Sequence, residues 1–392
     1  MIKKVFGVNR DIFLLGIVSF FTDVSSEMIF SVFSIFFTIV LGASAFLLGI
    51  VEGTADFAAS SLDYISGFLS DKYGRRKPLT ILGYGSSTIA KLFLIISNTI
   101  TSAGLFRVVE RFGKSLRGPP RDAWISSLAS KANKGYAFGL HKTLDKAGAI
   151  LGPLIAFAFF SYFAQTKESF TILFVIALIP ALVATLILFF IKDKRSPPLK
   201  RENIFRAYKD LDFRLKRYLI AAVIFSLAYF SFGFLLLKAY AVGFTLKDII
   251  LLYTLFNVSF VLASIPFGRL GDKIGRKKII ALSYIIYAIM SLGFIFVNSK
   301  IGVIVLFFIF GLFYAIDEGQ TKAYITDLEE SKKATAIGVY NFLTGLVYLP
   351  ASIIAGYLWT INMSYVFIFA TIISLSALIS FIFLTRNGYG KD

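Results

Sequence analysis

Twelve apolar runs alternate with short polar or charged connections along the 392 residues of this chain. The pattern predicts helical spans near 12–40, 45–69, 78–97, 101–129, 136–163, 169–191, 217–243, 247–270, 278–297, 301–327, 334–360 and 363–385. Each comes close to or exceeds the ~20 residues that carry a helix across the hydrocarbon core of a bilayer. Punctuation agrees with the pattern: Pro78 opens the third span, where a missing backbone N–H costs little. Twelve spans leave only short connections and no room for a sizeable extramembrane domain. The expected fold class is all-α integral membrane.

The pattern also repeats. Residues 67–77 read Gly-Phe-Leu-Ser-Asp-Lys-Tyr-Gly-Arg-Arg-Lys, and residues 268–278 read Gly-Arg-Leu-Gly-Asp-Lys-Ile-Gly-Arg-Lys-Lys. Seven of the eleven positions are identical, and the copies lie 201 residues apart. Asp122-Ala-Trp-Ile-Ser-Ser-Leu matches Lys322-Ala-Tyr-Ile-Thr-Asp-Leu at nearly the same offset. A charged, Gly-rich hairpin repeated between apolar helices reads as a duplicated helical bundle in a membrane, which narrows function to moving something across it. The expected organisation is an N-terminal six-helix bundle over 1–191, a basic linker over 192–216, and a C-terminal six-helix bundle over 217–392.

Composition sharpens this reading. The apolar fraction is 57% and mean hydropathy is +0.77, beyond the usual range of soluble domains. Net charge is +18 with pI about 9.8. In a soluble protein that would suggest nucleic acid; here, basic loops set membrane orientation. Lys72, Arg75, Arg76, Lys77, Lys134, Arg276, Lys277, Lys278, Lys332 and Lys333 all fall on one side, while the opposite connections carry one lysine or none. That side, with both termini, is expected in the cytoplasm. The linker reads either as a plain cytoplasmic strap or as an amphipathic segment on anionic lipid headgroups. Cysteine is absent and His141 is the single histidine, which leaves no thiolate or His-rich metal set. The first run is too long and too charged for a cleavable signal. No phosphate loop, serine-hydrolase elbow or zinc motif appears, so neither ATP-driven transport nor an enzyme is indicated.

With twelve spans, two halves, a basic middle connection and the signature Gly-x-Leu-x-Asp-x-x-Gly-Arg-[Arg/Lys]-Lys between spans two and three, the chain resembles the major facilitator superfamily, nearest to its drug and metabolite antiporter branch. The resemblance implies two pseudo-symmetric six-helix bundles in the inner membrane, alternating access, no cofactor, a proton gradient as driving force, and a monomer. It assigns the hairpin to gating: Gly67, Asp71, Gly74 and Arg75 in the first copy, Gly268, Asp272 and Arg276 in the second. Physically, Gly67 and Gly268 would admit a neighbouring helix. Asp71 and Asp272 could pair with the arginine four residues on. The plainer alternative is a topology anchor.

Charges inside the spans carry the rest, because a charge in hydrocarbon costs at least about 2.5–3.5 kcal/mol and therefore lines a cavity or pairs. In span one, Asp23 and Glu27 stand one turn apart. In span two, Glu52, Asp56 and Asp63 form a stripe. In span four, Arg107, Glu110, Arg111, Lys114, Arg117 and Arg121 share one helical face. In span five, His141, Lys142, Asp145 and Lys146 precede Gly148, Gly152 and Pro153. Spans six, nine and twelve carry no internal charge and span three only Lys91, in agreement with the resemblance, which implies that these four are the peripheral, lipid-facing spans. The acidic spans one and two would then face the basic spans four and five across one half-cavity. A carboxylate in a poorly hydrated cavity can load and unload a proton near neutral pH. Asp23, Glu27 and Asp56 are the candidates for that role. Arg107, Arg111, Glu52, Lys142, Asp145, Lys146, Asn257, Asp317 and Asn341 are the candidate substrate contacts. Arg117 and Arg121 are expected in the gate. Mutual pairing that merely stabilises the bundle is the competing reading.

Gly148–Pro153 resembles the Gly-x-x-x-Gly-Pro element of proton antiporters in the superfamily, although the proline-rich first-span element of drug pumps is missing. The expected function is export of a small organic molecule, amphipathic or anionic, by proton antiport. The alternatives are proton-coupled uptake of an organic anion or nutrient, and divalent-metal efflux through the carboxylates of spans one and two.

Overall fold

The computed structural model describes residues 4–96, 99–130, 133–193, 204–329 and 332–386. The linker residues Lys194, Arg195, Pro197, Pro198, Lys200 and Arg201 lie outside the described residues. A small hairpin, β1 (Lys4–Val5) with β2 (Val8–Asn9), leads into α1 (Arg10–Ile35), which ends in one π-helical turn, Phe36–Val40. There follow α2 (Ala45–Ser61), α3 (Asp63–Tyr73), α4 (Lys77–Ile96), α5 (Ile100–Leu128), α6 (Lys134–Tyr162) and α7 (Lys167–Phe189). Next come α8 (Ile204–Lys209), α9 (Phe213–Ala228), α10 (Gly233–Ala241), α11 (Leu246–Ile274), α12 (Arg276–Phe296), α13 (Lys300–Leu328), α14 (Lys333–Ile361) and α15 (Met363–Thr385).

Six of the helices start where the chain supplies a capping oxygen. Asn9, Thr166, Asp212, Ser299 and Asn362 each accept from a backbone N–H two or three residues on. Thr99 and Ser102 form a reciprocal capping box at α5. Two of the expected spans are interrupted. Span two breaks at Leu62, and span seven breaks between Ala228 and Gly233, where Ser231 Oγ accepts from Gly233 N at 3.1 Å. Broken helices at membrane depth need such side-chain partners for the freed backbone groups.

Among the described residues, eleven segments are long and apolar enough to cross a membrane. The span not among them is α5, whose 29 residues would span but whose charges exclude it on composition alone. The fold is therefore all-α and membrane-spanning.

The chain divides into two compact units. The first comprises 1–43, 62–201 and 246–254; the second comprises 44–61, 202–245 and 255–392. The second unit thus takes in α2, and the first takes in the opening turns of α11. In the first unit α1 packs on α6 and α7, and α4 packs on α5. Leu15, Val18, Tyr84, Trp124, Ile125 and Leu188 form a core there. Gly83 and Gly113 bring α4 and α5 together: a Cβ at Gly83 would stand 2.6 Å from the Gly113 carbonyl oxygen. In the second unit α2 packs along α14, α9 packs on α15, and α12 packs on α13 and α15. Its interior is aromatic, with Phe225 stacked on Tyr284 at 4.1 Å and Tyr218 edge-on to Tyr324 at 5.0 Å.

Both hairpins turn at glycine in positive φ, Gly74 at 60° and Gly275 at 94°. Each also supplies a lysine to a distant helix end. Lys77 Nζ donates to the Phe189 and Ile191 carbonyls at 2.9 and 2.6 Å, and Lys277 Nζ donates to Thr385 O at 2.6 Å. These cations sit where the last carbonyls of α7 and α15 lack intrahelical partners.

Candidate transport site and family

The site in the first unit is assembled by α1 and α6. Gly148 and Gly152 carry no side chain, so α1 lies directly against α6. A Cβ at Gly148 would stand 3.1 Å from Asp23 Cβ, and one at Gly152 would stand 2.9 Å from Met28 N and 3.3 Å from Glu27 Cβ. The glycines thus fix Asp23 and Glu27, both half-buried, against one face of α6. The charged neighbours of Asp23 are Asp145, Glu27, Lys114 and Lys146. Asp145 is paired with Lys142 at 3.8 Å, and Lys146 and Arg121 lie close to it. The Glu27 carboxylate accepts from the Tyr253 hydroxyl, carried by the part of α11 that belongs to this unit. Arg107 and Arg111 are near that hydroxyl. Their guanidinium groups lie over the Phe30 ring, 4.2 and 5.1 Å from its centre.

The stripe on α5 divides. Arg107, Arg111 and Lys114 lie near the cluster around Asp23 and Glu27, while Arg117 turns toward α4 and Glu110 stands between, close to Arg111, Arg117, Lys91 and Arg107. Glu110 and Arg117 pair at 3.8 Å, and Arg117 Nη1 donates to Ser87 Oγ at 2.5 Å. Lys91 joins them from α4: its Nζ donates to the Ser87 carbonyl at 3.2 Å and to Ser26 Oγ at 3.5 Å, and Ser26 Oγ donates to Glu110 Oε1 at 3.4 Å. Lys91, Glu110 and Arg117 are 0%, 1% and 5% exposed. Span three, expected to face lipid, exposes Leu82, Ile89 and Ile96 but turns Lys91 into the unit, where it meets a carboxylate. Arg117 continues to Tyr84, its guanidinium 4.7 Å from the ring centre. The Tyr84 hydroxyl meets Ser19 Oγ at 3.1 Å, and Ser19 Oγ meets His141 Nε2 at 2.9 Å and accepts from Arg121 at 3.1 Å. Arg117 and Arg121 both belong to this polar chain, and Arg121 also pairs with the exposed Asp122 at 3.0 Å.

Glu52 and Asp56 belong to the second unit. Glu52 Oε2 accepts from Ser231 Oγ at 3.1 Å, at the break between α9 and α10. Asp56 lies near Tyr348. The helix that carries them packs along α14: Gly53 and Gly356 leave no room for side chains there, a Cβ at Gly53 standing 2.9 Å from Leu349 O. Asp317 stands among Tyr218, Tyr229, Tyr284, Tyr287, Tyr340 and Tyr348, with Thr321 hydrogen-bonded to it. Asn257 is buried on α11 and Asn341 half-buried on α14.

At the hairpins, Arg276 pairs with Asp272 at 3.0 Å, as its spacing predicts, and also with Asp327 at 2.6 Å. In the first copy, Asp71 and Asp193 lie beside Arg76; burial nonetheless holds that guanidinium below its ordinary pKa, against the effect of both carboxylates. Gly268 has open space where a Cβ would stand, so the close helix approach expected there is found instead at Gly271, against the Gln320 side chain. Among the described residues no group of three or more His, Asp or Glu side chains is arranged to hold a metal ion.

Sequence reasoning missed Lys91 and Ser231 as site members. A lysine in an otherwise uncharged span was a readable signal for Lys91.

The family model of the Major Facilitator Superfamily matches residues 15–247 and 218–391. An uncharacterised MFS-type transporter of Methanocaldococcus jannaschii is 37% identical over 375 residues, 94% of this chain and 93% of that protein. Multidrug resistance protein 2 of Bacillus subtilis is 26% identical, over 83% of each chain. The nucleoside transporter NupG superposes with a TM-score of 0.79 at 14% identity, over 96% of this chain and all of that one. The peptide transporter POT superposes equally well, at 0.79 and 12% identity, over 98% of this chain and 95% of that one. The helical repeat, the signature hairpins and these likenesses agree: the chain is a transporter, not an enzyme, and belongs to the Major Facilitator Superfamily.

Proposed function

We propose that the chain exports a small organic molecule, amphipathic or anionic, in exchange for protons, by alternating access. The observation that carries this reading is the set Asp23, Glu27 and Asp145, gathered by the glycine contact of α1 with α6 and interleaved with Lys114 and Lys146. Carboxylates that interact strongly titrate as a set rather than singly. An arriving substrate that displaces a lysine or an arginine from the set changes which protons it holds, and this couples binding to protonation. Arg107 and Arg111, braced on Phe30, offer two planar donor groups for an anionic or polar end. Phe30 and Phe33 offer the apolar surface an amphipathic molecule needs. The direction is supported by the name of the Bacillus subtilis relative, a multidrug resistance protein. The metal-efflux reading finds no support in the described geometry.

The reading is tested with purified protein in vesicles, using a ligand first identified by a thermal-shift screen. Addition of that ligand outside acid-loaded vesicles should alkalinise the lumen. Asp23→Asn and Glu27→Gln should lose uphill transport while retaining exchange of substrate for substrate. Intact uphill transport in both variants would reject the assignment of the proton site. Co-entry of protons with substrate would replace antiport by uptake.

A further inference from the structure

A groove of about 460 Å³ opens on the second unit between α9 and α14, beside the short helix α8. Tyr208, Ile220, Val223, Ile224, Phe342 and Leu343 contribute to its walls. Its volume falls in the range of ~300–1,000 Å³ typical of ligand clefts, yet apart from the Tyr208 hydroxyl these walls offer no polar side-chain group. Ile220 is 50% exposed along it. Measured from the start of α9 at Phe213, the stretch Ile220–Ile224 runs from about 10 to 17 Å along the helix. Phe342 and Leu343 stand about 14 Å from the start of α14 at Lys333. Half of the hydrocarbon core is ~15 Å thick. The named wall positions therefore lie within about one leaflet's depth of the helix ends on the side the basic loops mark.

Its mouth is cationic. Residues 206–217 hold Arg206, Lys209, Arg214, Lys216 and Arg217 against Asp210 and Asp212. Both carboxylates have cations of their own, Asp210 with Lys332 at 3.3 Å and Asp212 with Arg214 at 3.1 Å. Lys216 is held over the groove wall: its Nζ lies 5.8 Å from the centre of the Tyr208 ring and donates to Lys209 O at 2.5 Å. Arg206 and Lys209 are exposed on α8. A tyrosine and several cations at the headgroup level above an apolar slot match a molecule with an anionic head and a long hydrocarbon tail.

We propose that this groove binds one anionic phospholipid, with an acyl chain between α9 and α14 and its phosphate against Lys209 and Lys216. Nothing in this depends on the transported molecule. The test uses the full chain purified in detergent, with phosphatidylglycerol, phosphatidylcholine and soluble glycerophosphoglycerol as probes, read by native mass spectrometry and unfolding midpoint. The protein should retain one phosphatidylglycerol at least fivefold more strongly than phosphatidylcholine and should gain stability from it, with no effect from the tail-less headgroup. Leu343→Trp fills the groove and should abolish retention. Val223→Phe fills it from the other helix and should do the same, so misfolding of one variant leaves the result readable. Lys216→Gln should erase the preference for the anionic lipid while leaving weak lipid binding. Equal retention of the two lipids, undiminished retention in a groove-filled variant, or binding of the headgroup alone would overturn the proposal. An adduct of neutral detergent with no phospholipid would contradict it as well.

Discussion

Lys91, Glu110 and Arg117 place two cations and one carboxylate inside the first unit with almost no exposure, so their energetics are those of buried ions. Removing the Glu110 carboxylate leaves Lys91 and Arg117 buried without it, with Arg111 and Arg107 also close by. Glu110→Gln should therefore destabilise the protein by about 3–5 kcal/mol, the scale for breaking a buried pair. The unfolding midpoint in detergent reads this directly. Adding Lys91→Met to Glu110→Gln should recover part of the loss, because it removes one of the stranded charges. A double variant as unstable as the single one would show that the three do not interact. Asp23 and Glu27 were legible in the sequence because a charge in an apolar run is costly and therefore visible. Their partners were less so. Ser231, which donates to Glu52, and Tyr253, which donates to Glu27, are residues whose use depends on where another helix lies, and periodicity along one helix carries no such information.

At the scale of the element, the contact of α1 with α6 rests on Gly148 and Gly152. Any side chain there meets the backbone of α1, since a Cβ at Gly152 stands within van der Waals limits of Met28 N. Gly152→Val should cost about 1–3 kcal/mol by overpacking and should displace Glu27, so transport falls further than stability does. Comparison of the unfolding midpoint with the transport rate checks this. Transport that tracks stability alone would mean that the contact only packs the bundle. At the start of α9, Asp212 caps the helix, and its hydrogen bonds with Arg214 hold its carboxyl below the ordinary range despite partial burial. Asp212→Ala should cost about 1 kcal/mol; the exposed ion pair itself adds little. The depressed pKa means that this stabilisation is present above the ordinary carboxylate pKa of about 3.9 and is lost as pH falls through the lower folded value. A wild-type and variant difference that persists unchanged at pH 2 would contradict this. The elements themselves were readable from apolar runs and caps. The breaks in spans two and seven were not, because apolar composition continues through Tyr229–Phe232 while the backbone does not.

For the whole molecule, the repeat carried the most information. Two copies of one hairpin and twelve spans were enough to reach a duplicated membrane bundle and its family. The packed units group α2 with the second unit and the start of α11 with the first. That grouping reflects helix packing at Gly49, Gly53 and Gly356, which no property of either half taken alone reveals. Orientation is testable cleanly because the chain has no cysteine. Single-cysteine variants Lys332→Cys and Ser299→Cys should be labelled by an impermeant maleimide from opposite faces of the membrane, with Lys332→Cys reached only from the cytoplasm. Labelling of both from one face would contradict the expected topology.

The central claim is that protons and a small organic molecule exchange through the carboxylate set of the first unit. Lumenal pH in proteoliposomes containing the purified protein measures it most directly. With an acid interior, external ligand should raise lumenal pH in the wild type and should leave it unchanged in the double variant Asp23→Asn, Glu27→Gln. Ligand transport without any proton movement, or the same alkalinisation in the double variant, would contradict the claim.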